Sequence, residues 1–384
     1  MTTVFPGAID FYTTKVDSVT QVLASHVNDL QDAVVAIETV VIAQSPNPNL
    51  LYHTLTHDIW MTGTTFNDVS DDSYVATLWN ALWNGNAPDV SGVAVATPFF
   101  GAGRHLKCLF DTNGSQAGFA QFLTAQDTYA LRGKTVTFSI DAVGANVANL
   151  RCAIIGWAGT ADSLTSDVVG TWSTGNPTLA TNWSYLSDSG TPQDQALSGG
   201  STVDRLECTA TIPYDNTVNN LAVFVWTPDQ EDNGDYFLLA RAKLEIASSA
   251  TGFVNWDMAI EQALLVSFYN KSYLMNITPG SASDPGAIGW QTRVAIAAST
   301  AGTLRPQTPK YPRMRVAPSI VIYSPATGTS GAVRNDIAAN DRTGCTAVNI
   351  SDTGFQAISV SNASANAIAL DEALRLHFVA DARL

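Results

Sequence analysis

The sequence predicts a mainly β protein: a short coiled-coil-type helix at the N-terminus, a jelly-roll β-sandwich, a linking helix and a C-terminal β-domain. Three observations predict it. Charged residues make up 14% of the chain against 46% apolar. With Gly, Ser, Thr, Asn and Ala abundant, that palette suits strands joined by turns better than helices, whose wet faces favour Lys, Glu and Arg. Short apolar or alternating runs recur between turn clusters, and a sustained heptad rhythm is confined to the N-terminus.

Taken in order, residues 1–48 form an anchor and oligomerisation segment. Leu23, Val27, Leu30, Val34, Ile37 and Val41 recur alternately every fourth and third residue, the rhythm of a coiled-coil seam. Ser45-Pro46-Asn47-Pro48 breaks the helix. So short a helix is unstable alone. Its stripe needs a partner, either further copies or the chain's own β-domain, and the narrow, terminal seam favours further copies. Val and Leu at the seam positions allow a dimer as well as a trimer.

Residues 49–256 read as a sandwich. In Thr135 to Ile140, Val136, Phe138 and Ile140 share one face; Leu221 to Trp226 is a continuous apolar run; Tyr236 to Leu239 and Lys243 to Ile246 follow. Asp111 to Gly114, Ser198 to Ser201 and Asp229 to Gly234 are turn clusters. Thr160 to Thr202 is polar and predicts an extended surface loop with some strands. Residues 257–273 predict a helix with Ile260, Leu264, Ser267 and Phe268 on one face, and 274–384 a second β-domain whose clearest strands are Ser319 to Tyr323, Phe355 to Val360 and Ala373 to Val379. No fixed repeat period appears, which disfavours a β-helix or propeller.

The net charge of −15 repels phosphate backbones and anionic membrane surfaces, so neither nucleic acid nor a membrane is an expected partner. No apolar run reaches spanning length and no signal peptide is visible, which predicts folding in a cytoplasm. Cys108, Cys152, Cys208 and Cys345 lack any CxxC spacing and read as free thiols of a reducing compartment.

Several segments resemble, in order, a family of phage tail-fibre and minor virion proteins. Ser25 to Thr39 (SHVNDLQDAVVAIET) is similar to their N-terminal helix. Asn49 to Phe66 (NLLYHTLTHDIWMTGTTF) resembles the opening of their carbohydrate-binding-module-like jelly roll, Arg132 to Gly144 a central strand, and Gly234 to Ile246 the closing strand. Phe253 to Tyr273 resembles the helix that follows, and Tyr311 to Thr329 with the closing ALRLHFVADARL the C-terminal domain. His53 and His57 depart from the family's usual opening, and Ala158 to Thr202 does not align. The resemblance implies a homotrimeric fibre or spike appendage of a bacteriophage virion, made in the bacterial host cytoplasm. Its N-terminal segment would meet other virion proteins, and its β modules a host surface glycan.

The chemistry-bearing residues are few. No GxSxG, HExxH, P-loop or Rossmann fingerprint is present, so the expectation is a protein that is not an enzyme. Trp172 and Trp183, with Asn182 and Tyr185, are candidates for a sugar platform, because sugars stack on aromatic rings while amides bond hydroxyls; the alternative is burial, the usual fate of large aromatics. Trp60, Trp157 and Trp226 read as core, and Trp79 and Trp83 as a buried helical face or a loop cluster. Asp229, Glu231, Asn233 and Asp235 begin like a calcium loop but lack a closing Glu, so a plain Asn-Gly turn competes with a structural calcium site. No other cofactor is expected.

Overall fold

The computed structural model describes residues 30, 31, 34, 48–57, 59–94, 104–165, 167–187, 194–200, 202–275, 277–306 and 309–384. Within them the protein is mainly β, with a two-sheet sandwich followed by a smaller β module.

The sandwich uses β1 (Trp79–Asn84), β2 (Asp89–Ala94), β3 (Arg104–Leu109), β4 (Gln116–Phe122), helix α1 (Ala125–Leu131), β5 (Thr135–Ala145), β6 (Asn149–Trp157), β7 (Trp183–Tyr185), β8 (Asp204–Thr211), β9 (Asn220–Trp226) and β10 (Tyr236–Glu245). One sheet runs Thr65–Phe66, β2, β3, β10, β5, β8; the other runs β7, β6, β9, β4, β1, Ser73–Tyr74, with Gln195–Ala196 also on β6. The named pairs are antiparallel, and in β5 the pleat sends Val136, Phe138, Ile140 and Ala142 into the core between the sheets while Thr137, Ser139 and Asp141 face outward. Each large apolar side chain in that core contributes roughly 1.5–3 kcal/mol. Trp79 and Trp83 lie on strand β1, not on a helix or in a loop. Leu206, Cys208 and Ala210 alternate inward on β8 in the same way.

The second sheet is apolar on both faces. Its outer side carries Leu82, Phe122, Ile155, Trp157, Phe224 and Trp226, which explains the unbroken apolar run of β9. The polar stretch after β6 covers that side, contributing Val168, Val169 and Trp183.

Helix α2 (Met258–Val266) begins at Asp257, whose carboxylate accepts from the Ala259 amide at 2.8 Å. It is shorter than the sequence suggested, because Tyr269–Lys271 leaves the helix to pair with Ala373–Asp381. Its buried side is rotated from the predicted one, of which Phe268, just past the helix, is buried. Glu261 and Leu265 are buried, whereas Ile260 is 57% exposed. The reason is polar: Glu261 Oε1 accepts from the Thr54 amide (2.6 Å) and hydroxyl (2.9 Å), and Oε2 accepts from His57 Nδ1 (2.5 Å).

The C-terminal module gathers Ile288–Gln291, Ser319–Tyr323 and Ala332–Asn335 around Ala373–Asp381, with a three-stranded sheet of 302–304, 354–360 and 345–351 beside it. Leu374, Leu376 and Phe378 of the predicted strand Ala373 to Val379 enter its core, and Arg342 is buried there, donating to the carbonyls of Thr300, Ser361, Ser364 and Asn366. The module meets the sandwich through Tyr52, Ile59, Leu78, Leu265, Phe268 and Val379. Arg383 lies over the rings of Tyr74 and Tyr269.

Of the predicted N-terminal helix, Leu30 and Val34 are helical and exposed; Leu23, Val27, Ile37 and Val41 lie outside the described residues. Among the described residues no helix is long and apolar enough to cross a membrane. All four cysteines are free.

Candidate functional site

The aromatic group singled out from the sequence is built as a cover. Trp183 is buried; its ring centroid is 5.2 Å from that of Trp157 and 5.7 Å from that of Phe122. Tyr185 donates its hydroxyl to the Pro177 carbonyl at 2.9 Å and lies 6.1 Å from Trp226. Trp172 is half-buried against the same cluster. Asn182 alone of the four is exposed, in a turn at φ 72°. A sheet with two apolar faces must shed water from both, so Trp183 serves packing and presents no open ring face for a sugar.

The predicted metal loop is likewise a turn. Glu231 exchanges backbone bonds with Ser115, Gly234 donates to the Phe110 carbonyl, and the Asn233 amide donates to Asn113 Oδ1. The carboxylate oxygens of Asp229, Glu231 and Asp235 do not converge. Among the described residues the group of three that does is Asp68, Asp89 and Asp111, whose Asp89 accepts from the Asp68 amide at 3.0 Å. Burial, with the charges of Asp235, Asp229 and Asp232 adding to it, pushes the Glu231 carboxyl up to about 7.

A different site stands on the outer face of the first sheet. Register places Arg205 of β8 beside Asp141 of β5, with Ala240 of β10 on the other side. A bulge between Ala240 and Lys243 inserts Arg241 at φ 51°, and bulges re-aim side chains in this way. Arg241 is thereby turned onto Asp141: its Nε donates to Oδ2 at 2.5 Å, while Arg205 Nη1 donates to Oδ1 at 2.8 Å and its Nη2 to Ser139 Oγ at 2.6 Å. Asp141 is buried, and the two guanidiniums are about a third exposed. Burial and the charge of Arg241 pull His105 down to about 4, so it is neutral at pH 7.

Next in the same face come Lys243 and Glu245, a buried ion pair at 3.0 Å. The chain after β10 folds back over them: Lys243 Nζ donates to Thr251 Oγ1 and the Gly252 carbonyl, and the Thr251 amide and hydroxyl donate to Glu245. Burial raises the Glu245 carboxyl, but the Thr251 and Lys243 bonds outweigh it and leave it lowered. This turn walls a groove of about 490 Å³ lined by Asp141, Arg205, Glu207, Arg241, Thr251 and Phe253.

The groove offers guanidinium donors, carboxylate and hydroxyl acceptors and a half-exposed ring, on a floor held by strands. That donor set suits a polyhydroxylated ligand. Both Asp141 oxygens are engaged by arginines. Sequence reading passed over these residues. The available signal was the outward alternation Thr137, Ser139, Asp141 opposite Arg205, Glu207, Thr209, charged residues in the middle of otherwise buried strands.

No protein-family model matches the chain, and no curated protein matches it. Among solved structures, a putative sugar-binding protein from Bacteroides thetaiotaomicron is similar over 51% of this chain and 100% of that one (10% identity, TM-score 0.33). A xylan-binding domain from Paenibacillus barcinonensis is similar over 54% and 100% (11% identity, TM-score 0.30). The enzymatically active domain of bacteriophage CBA120 tailspike protein 4 is similar over 47% and 21% (12% identity, TM-score 0.28). A carbohydrate-binding module of the β-sandwich superfamily is similar over 49% of this chain, and the likeness spans 62% of its own length (15% identity, TM-score 0.30).

Proposed function

We propose that the chain is a non-catalytic adhesin subunit of a bacteriophage virion appendage, a homotrimer bundled through its N-terminal helix, whose sandwich takes a host-surface saccharide in the groove over Asp141. The observation that carries the saccharide reading is the bulge that aims Arg241 at Asp141 opposite Arg205. It fixes two guanidiniums at the floor of an open groove, with Phe253 in its wall. Fixed donors bind hydroxyls and ring oxygens without the cost of ordering long side chains. The virion and trimer readings are supported by the ordered run of segments resembling tail-fibre proteins and by the terminal heptad stripe. Three copies would make weak sugar contacts effective through avidity.

An array of bacterial surface polysaccharides, probed with the full chain, tests the groove. A specific signal should fall at least tenfold in Arg205→Ala and in Phe253→Ala, and stay unchanged in Trp172→Ala. Binding to no saccharide at all, or binding lost only with Trp172→Ala, would sink the groove assignment. New reducing ends released from a bound polysaccharide would overturn the non-catalytic reading, and a monomeric mass by light scattering at micromolar concentration would overturn the trimer.

A further inference from the structure

Helix α2 buries Leu265 but leaves part of its apolar surface outside. Its charged Glu261 is buried, while Ile260, at 57% exposure, and Met258 face solvent. Val254, at 56%, and Ile246 are exposed just before it. This apolar surface runs into a groove of about 300 Å³ lined chiefly by apolar side chains, among them Leu50, Leu123, Leu131, Trp256 and Leu264; Leu264 lies one helical turn beyond Ile260. Exposed apolar side chains that cluster beside a groove mark an interaction surface, where single ones would not.

We propose that this face is a contact between copies of this chain, continuing the N-terminal bundle onto the sandwich. It rests on the bundle reading above. Two observations choose a second copy as the occupant. The groove begins at Asn49 and Leu50, so only the short stretch after Val41 separates it from the last seam residue. Eight residues span at most roughly 28 Å, and copies joined at the seam therefore hold these faces close to a common axis. The chain's own stripe does not fill the groove where it is described: Leu30 is 60% exposed and Val34 45%. In a ring of copies, the Met258 and Ile260 side chains of one would meet the groove of the next, a heterologous contact that closes under cyclic symmetry.

Two measurements on the full chain test this. In the first, the oligomer dissociation constant is measured by sedimentation for the wild type, for Leu30→Asp with Val34→Asp in the seam, and for Met258→Asp with Ile260→Asp on α2. The seam variant should be monomeric, and the α2 variant, with unchanged circular dichroism, should dissociate at least tenfold more readily. In the second, which needs no change on α2, Met258 oxidation by hydrogen peroxide should run at least fivefold slower in the wild-type oligomer than in the monomeric seam variant. An unaltered dissociation constant in the α2 variant, or equal oxidation rates, would overturn this contact while leaving the bundle standing. A monomeric wild type would overturn both.

Discussion

Glu261 on α2 reaches His57, in the chain entering the sandwich, at 2.5 Å with its carboxylate wholly buried. The pair ties the linking helix to the first residues of the sandwich across 204 positions of sequence. It also explains why the helix turns Ile260 outward: one buried carboxylate that accepts from three donors fixes the rotation of the helix more strongly than one isoleucine.

Removing that carboxylate should be costly. Glu261→Ala leaves the Thr54 amide and hydroxyl and the His57 ring without their acceptor, and a broken buried network costs roughly 3 kcal/mol. Glu261→Gln keeps one acceptor oxygen and should lose about half as much. Urea unfolding of the two variants checks both numbers; equal midpoints for Glu261→Ala and the wild type would refute the tie.

The two sides of the Asp141 cluster should respond unequally. Asp141→Ala removes a buried charge and leaves two guanidiniums facing each other, at a cost of about 3 kcal/mol. Arg205→Ala removes a partner that is about a third exposed, and after screening by solvent it should cost no more than about 1 kcal/mol. Thermal unfolding of the two variants gives the ratio, and an Arg205→Ala loss as large as that of Asp141→Ala would contradict the assigned roles.

Glu231 predicts a pH dependence of definite sign. Its folded carboxyl titrates at about 7 against 4.5 for the ordinary group. Between those values the native state binds more protons than the unfolded chain, so this residue's contribution to stability falls as pH rises through the window and stays low above it. Glu231→Gln removes the effect. The variant should gain on the order of 2 kcal/mol relative to the wild type between pH 4.5 and pH 8, read as a wider gap in unfolding midpoint at pH 8. A gap that narrows with rising pH would show the opposite shift.

Arg342 should be the keystone of the C-terminal module. Its guanidinium gathers the carbonyls of Thr300, Ser361, Ser364 and Asn366 in a buried site. Arg342→Met fills similar space but leaves those carbonyls without a donor, costing roughly 3 kcal/mol. Hydrogen exchange should accelerate at residues 300–304 and 354–366 while β5 and β9 remain protected. Uniform acceleration through the sandwich would mean that the two modules unfold as one.

The sequence by itself determined the β class and most strands, because alternation such as Val136, Phe138, Ile140 is a local consequence of a pleated backbone with one buried face. It also placed the Asn233-Gly234 turn and the apolar stretch of β9. Tertiary structure decided what lay on the other faces. Trp183 looked available because it sits in a polar stretch, yet it is buried because the sheet beneath it is apolar on its outer side as well. Ile260 looked buried by periodicity, yet Glu261 took the inside because its hydrogen-bond donors come from Thr54 and His57, far away in sequence. The Asp141 groove was invisible for the same reason: its charges belong to three strands, and a bulge at Arg241 brings them together. Burial on one face is written in the spacing of residues; what meets the opposite face depends on which distant strands arrive there.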